Sequence, residues 1–281
     1  MVYMSILTTL LINTGLALVD KQSSTKLTNS FEVLSFSLYK TMLCAVLSII
    51  LLPFVDLYIN IPGITIAIFA GIFHASSVVL IMQSLKCNKT VHVNLFMTSG
   101  IILPSICGWI FWDEPITVLK IICLILIIFS LKFMLNVKMD RNTGIKLLLI
   151  MFLCFGMLMV MQAMYPRYCV NGSKLLFSAI MYGISAVILG IVVHGKVKKI
   201  HIFGKSANIL LIAAAIFNLL VNILLTSLSG KLDSSVVFPF VHGLKLVVLM
   251  LISPILWKEK LTVQQIISGF VVIVCISLLS I

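Results

Sequence analysis

His242 and Lys245 lie one helical turn apart near the middle of an almost wholly apolar run, VVFPFVHGLKLVVLMLISPILW, residues 236–257. Residues three or four apart share a helix face. An ammonium and an imidazole on one such face, too central for the lysine stem to reach either end, suit the capture of an anionic group. Other polar side chains fall inside comparable runs: Asn13, His92, Asn94, Gln162, Asn218 and Asn222. Amides both donate and accept hydrogen bonds, so the set suits recognition of a small polar solute. Asn218 and Asn222, four apart, would share a face, either lining a cavity or joining two helices. Lys40, early in its own apolar run, reads as structural.

Bond-making chemistry finds less support. No pair of histidines has metal-ligand spacing, and the seven cysteines are scattered without a CxxC pair, so no metal and no cofactor is expected. There is no Asp-rich motif for Mg²⁺, no G-x-S-x-G and no H-E-x-x-H, which argues against an enzyme. The acids are Asp20, Glu32, Asp56, Asp113, Glu114, Asp140, Asp233 and Glu259, all read here as loop or span-end residues. With no carboxylate buried, a cavity around Lys245 would be neutral to positive and would favour anionic or zwitterionic solutes. An unpaired ammonium in a low dielectric is costly, so its charge would depend on what occupies the site.

Two acids have a context of their own. Glu114 and Glu259 each follow a Trp by two residues and precede a Thr, Thr117 or Thr262, by three. A carboxylate there would meet the free N–H groups and positive dipole end of the next helix, a structural turn; the alternative is an ion pair acting as a gate.

The elements that must hold these residues follow from composition. Of 281 residues, 61% are hydrophobic and 10% charged. A soluble chain is roughly 45–50% apolar and about 25% charged, so this is an integral membrane protein. The formal charge of +12 sits mostly in short connectors. There it would set topology and touch lipid headgroups, not nucleic acid. Polar clusters cut the chain into ten apolar segments, 2–19, 31–54, 62–85, 90–112, 116–137, 144–165, 174–194, 208–228, 235–257 and 263–281. Each is near the ~20 residues of a spanning helix, so ten transmembrane helices and an all-α fold are expected. The first segment lacks a basic leader region and reads as a span, not a cleaved signal.

WDEPITVLKII (112–122) and WKEKLTVQQII (257–267) align in register at an offset of 145 residues. The same offset lays the third to fifth spans over the eighth to tenth, and sets Gly100 opposite Lys245. The chain thus divides into two five-helix halves, 1–140 and 141–281. Five is odd, so the second half would enter the membrane inverted, as in many secondary transporters.

Ten spans in two halves, each closing with a W-x-E-x-x-T turn, resemble the drug/metabolite transporter superfamily, EamA type. GWIFWDEPITVLKIICLILIIFSLKFM and LISPILWKEKLTVQQIISGFVVIVCISLL carry the likeness, and the second also resembles the last two spans of the small multidrug resistance family. The resemblance implies a multi-pass protein of the bacterial inner membrane moving a small metabolite by alternating access. A flippase for a lipid-linked sugar phosphate and a noncatalytic membrane scaffold are the alternatives. Expected partners are a small-molecule substrate and the lipid bilayer, with a homodimer left open. Fourteen basic residues fall in odd-numbered connectors, Lys138, Arg141, Lys198 and Lys199 among them, against Lys120, Arg167, Lys174 and Lys231 in even ones. The charge bias puts odd connectors in the cytoplasm and the termini outside; the resemblance implies the reverse orientation.

Overall fold

The computed structural model describes residues 2–115, 117–135, 144–196 and 203–279. Asp140, Lys138, Arg141, Lys198 and Lys199 lie outside the described residues, as does the junction of the two halves. Among the described residues the regular structure is wholly helical. The helices are α1 (Val2–Ser24), α2 (Ser30–Leu51), α3 (Ile61–Cys87), α4 (Thr90–Ser99), α5 (Ile102–Phe111) and α6 (Val118–Leu135). Then come α7 (Gly144–Tyr168), α8 (Lys174–Lys196), α9 (Lys205–Leu228), α10 (Ser234–Trp257) and α11 (Val263–Leu279).

Helix starts follow the side chains that satisfy free N–H groups. The Asn29 side chain accepts from Glu32 N at 2.8 Å, while Glu32 accepts from Thr28 N at 2.6 Å, a reciprocal cap. Asn60 accepts from Gly63 N at 2.8 Å, with a proline in the first turn of α3. The expected fourth span is one path broken in two. Gly100 separates α4 from α5, and Pro104 cannot donate to the Gly100 carbonyl one turn back. At Gly100 the backbone runs against Gly156 of α7: an added Cβ would lie 3.3 Å from the Gly156 Cα, and one on Gly156 would lie 2.8 Å from the Gly100 oxygen.

Among the described residues, eight helices, counting α4 and α5 as one, are long and apolar enough to cross a bilayer. Their outer faces expose large apolar side chains, including Leu11, Ile49, Phe69, Phe111, Ile191 and Ile255. A water-soluble protein rarely exposes so continuous an apolar surface. The chain is a multi-pass membrane protein. The two other helices, α6 with 18 residues and α11 with 17, pack on each other.

Helices from the two ends of the chain interleave. Helix α3 packs on α7 and α8, α1 on α9 and α10, and α2 on α8 and α9. A pocket framed by α1, α2, α3, α4, α7, α9 and α10 is left at the centre.

Candidate functional site

The central cavity has a volume of about 70 Å³. Helix α1 contributes Asn13, Leu16, Ala17 and Asp20, a stripe at helical spacing. Helix α2 adds Lys40, α3 adds His74 and Ser77, and α4 adds Asn94. From later in the chain come Phe155 and Gln162 on α7, Asn218 and Asn222 on α9, and His242 and Lys245 on α10.

Seven of the eight residues expected at a site, Asn13, Asn94, Gln162, Asn218, Asn222, His242 and Lys245, meet in this cavity. His92 does not: its ring turns toward α11 and pairs with Gln265.

The cavity has a charged wall and a neutral one. On the charged wall Lys40 Nζ donates to both Asp20 oxygens at 2.7 and 2.9 Å. This corrects the expectation that no carboxylate is buried. Helix α1 runs on to Ser24, past the end of its apolar run, so Asp20 is inside a helix and only 6% exposed. Lys245, 1% exposed, meets His242 Nδ1 at 3.4 Å, and among the described residues no carboxylate lies within ion-pair distance of it. Asn13 Nδ2 approaches the same His242 nitrogen at 3.5 Å. Two lysines and one aspartate leave the lining with one cation in excess.

The neutral wall is a hydrogen-bonded chain. Gln162 donates to Asn222 Oδ1. Asn222 Nδ2 donates to Tyr182 OH at 2.6 Å and to Asn218 Oδ1 at 3.1 Å. Asn218 reaches His74 Nε2 at 3.4 Å, and His74 Nδ1 meets Ser185 Oγ at 3.0 Å. Tyr182 and Ser185, on α8, stand behind the lining and were not singled out from sequence. Their distance along the chain from Asn222 and His74 gives no local signal.

Near each end of α10 a glutamate binds the start of a helix. Glu259, between α10 and α11, accepts from Thr90 N at 3.0 Å and from Thr90 Oγ1 at 2.9 Å, at the start of α4. Lys21, from α1, pairs with it at 3.2 Å and donates to carbonyls at and just past the end of α3, Leu85 at 2.9 Å and Asn88 at 3.1 Å. At the opposite end Glu114, between α5 and α6, accepts from Ser234 N at 3.0 Å and Ser235 N at 3.3 Å, at the start of α10. Arg167, from α7, pairs with it at 2.7 Å, donates to Ser229 O at 3.3 Å and lies over the Trp112 ring. Gly108 makes room: a Cβ there would lie 2.5 Å from a Glu114 oxygen.

Each glutamate is expected from sequence to cap the helix that follows it; among the described residues each instead caps a helix of the other half, Glu259 the start of α4 and Glu114 the start of α10. The threonines do serve the following helix. Thr117 Oγ1 accepts from Lys120 N at 3.3 Å, and Thr262 exchanges bonds with Gln265, at 2.8 and 3.3 Å.

No family model and no curated protein matches the chain. Solved structures do. One protein crystal structure aligns over 99% of this chain and 95% of its own, with a TM-score of 0.68 at 13% sequence identity. At that identity the likeness is one of fold alone.

Proposed function

We propose that this chain is a secondary transporter for a small anionic or zwitterionic metabolite, working by alternating access between two inverted five-helix repeats, 1–140 and 141–281. On this reading α6 and α11 complete ten spans, and the likeness to the EamA-type drug/metabolite transporters reflects common architecture. The observation that carries it is a buried cavity, shared by both halves, in which Lys245 has no acid partner among the described residues.

The packing supports the repeat. Shifted by one half, the contact of α3 with α7 becomes that of α9 with α1, and both are extensive. The turns correspond as well: Asp113 and Lys258, 145 residues apart, both adopt a left-handed backbone with φ 52°. The closures also correspond, since Glu114 binds the start of α10 and Glu259 the start of α4. Helix α1 ends at the Glu259 closure and α7 at the Glu114 closure, so the first helix of each half runs in the opposite sense. Opening toward one face would break one set of contacts and leave the other in place, which is what rocking of two halves requires.

A cavity this small favours a soluble solute over a lipid-linked headgroup. Flux into proteoliposomes is the test, with Lys245→Met as the control. The reading fails if no solute is carried in a Lys245-dependent way.

A further inference from the structure

Three side chains lining the cavity carry a buried polar atom without a hydrogen-bond partner: Ser77 Oγ, Asn94 Oδ1 and His242 Nε2. They are 1%, 2% and 1% exposed. Buried polar atoms are ordinarily paired, so each asks what completes it.

The roles of two are settled by their other bonds. Asn94 Nδ2 donates to Thr90 O at 3.0 Å. A carbonyl only accepts, so the amide is oriented and its orphan oxygen is an acceptor. His242 Nδ1 faces the Lys245 ammonium and the Asn13 amide N–H, both donors. Nδ1 therefore accepts, Nε2 carries the proton, and the orphan nitrogen is a donor. His74 is neutral by the same reasoning, because its Nε2 faces the Asn218 amide N–H.

Lys245 and the orphan oxygen of Asn94 lie at one depth. Glu259 joins the end of α10 to the start of α4, and Glu114 joins the end of α5 to the start of α10, so α4 and α10 are antiparallel. Thr98 Oγ1 donates to His242 O at 3.3 Å, which fixes the level at which they cross. One turn back along α4 is Asn94, and one turn on along α10 is Lys245. The two face the same space without bonding each other. A ligand spanning them needs an anionic acceptor with a hydroxyl or amine donor beside it.

Size and charge narrow the class. The cavity volume of about 70 Å³ is several times the ~10–15 Å³ that holds one water, which suits a small solute. The lining ionisable groups are Asp20, Lys40 and Lys245, with both imidazoles neutral. One monoanion cancels the excess charge; a zwitterion leaves it.

We propose that the site takes a small 2-hydroxy carboxylate, its carboxylate held by Lys245 and its hydroxyl donating to Asn94 Oδ1. The proposal rests on the transporter reading and names its substrate class.

The test is calorimetric titration of the purified full-length protein in lipid nanodiscs with lactate, propanoate and alanine. Lactate should bind about tenfold tighter than propanoate, the worth of one buried hydrogen bond, and tighter than alanine. Asn94→Leu should bring lactate down to the affinity of propanoate, and Lys245→Met should abolish binding of both. Equal affinity of the wild type for lactate and propanoate, tighter binding of alanine, or no binding of any of the three would each overturn the proposal. The wild-type comparison decides even if Asn94→Leu does not fold. Lys245-dependent flux of some other solute would sink this substrate class and leave the transporter reading standing; no such flux for any solute would sink that reading itself.

Discussion

Asp20 and Lys40 are buried together, and neither is well accommodated alone. Removing one partner of a buried pair leaves an uncompensated charge, at a cost of about 3–5 kcal/mol, whereas replacing both by apolar groups is often neutral. Asp20→Asn should therefore lower the thermal unfolding midpoint sharply, and the double variant Asp20→Asn with Lys40→Met should recover most of the loss. A single variant no less stable than the double would show that the pair is not a unit. Lys245 was legible in the sequence because an apolar run surrounds it. Asp20 was not, because its run stops at position 19 while the helix continues. The signal available was spacing: Asn13, Leu16, Ala17 and Asp20 follow a single helical face. The residues that share the cavity with Lys245 come from α1, α2, α3, α4, α7 and α9, and no local pattern connects them to α10.

At the scale of elements, the glutamate closures set what has to break for the cavity to open. Glu259→Gln would keep an acceptor for Thr90 N but lose the ion pair with Lys21, so the contact between the start of α4 and the end of α10 should loosen. Leu85→Cys reports on that end, since Leu85 lines the cavity, is 2% exposed and gives its carbonyl to Lys21. Adding Glu259→Gln should speed labelling of that cysteine by an impermeant maleimide, whereas adding Glu114→Gln should not. Equal rates in both would mean that the closures do not act separately. The apolar segments foretold most helix positions to within a few residues. The turn residues foretold where the next helices start, beside Thr117 and Thr262. The targets of Glu114 and Glu259 could not be read in advance, because each lies more than a hundred residues away, on a helix brought near only by tertiary packing.

For the whole molecule, the closure formed by Lys21, Glu259 and Thr90 gathers Lys86, Lys89 and Lys260 around it. Lys89 donates to Lys260 O, and Lys86 to Thr28 O. The charge rule predicts that this face is cytoplasmic. Helix α9 separates Lys205 from Lys231, and both are exposed. In a background without other reactive cysteines, Lys231→Cys should be labelled from outside intact cells and Lys205→Cys should not; the reverse result would give the orientation that the family resemblance implies.

The central claim, that the cavity is a transport site organised by Lys245, is tested most directly by flux. Purified wild-type protein and Lys245→Met, matched for thermal stability, would be reconstituted into proteoliposomes and challenged with radiolabelled small carboxylates, phosphates and amino acids. We predict that at least one solute enters wild-type vesicles above the protein-free background, and that Lys245→Met slows it by about tenfold or more, the loss of a charge-assisted hydrogen bond. A correctly folded Lys245→Met protein that carries that solute at the wild-type rate would contradict the claim.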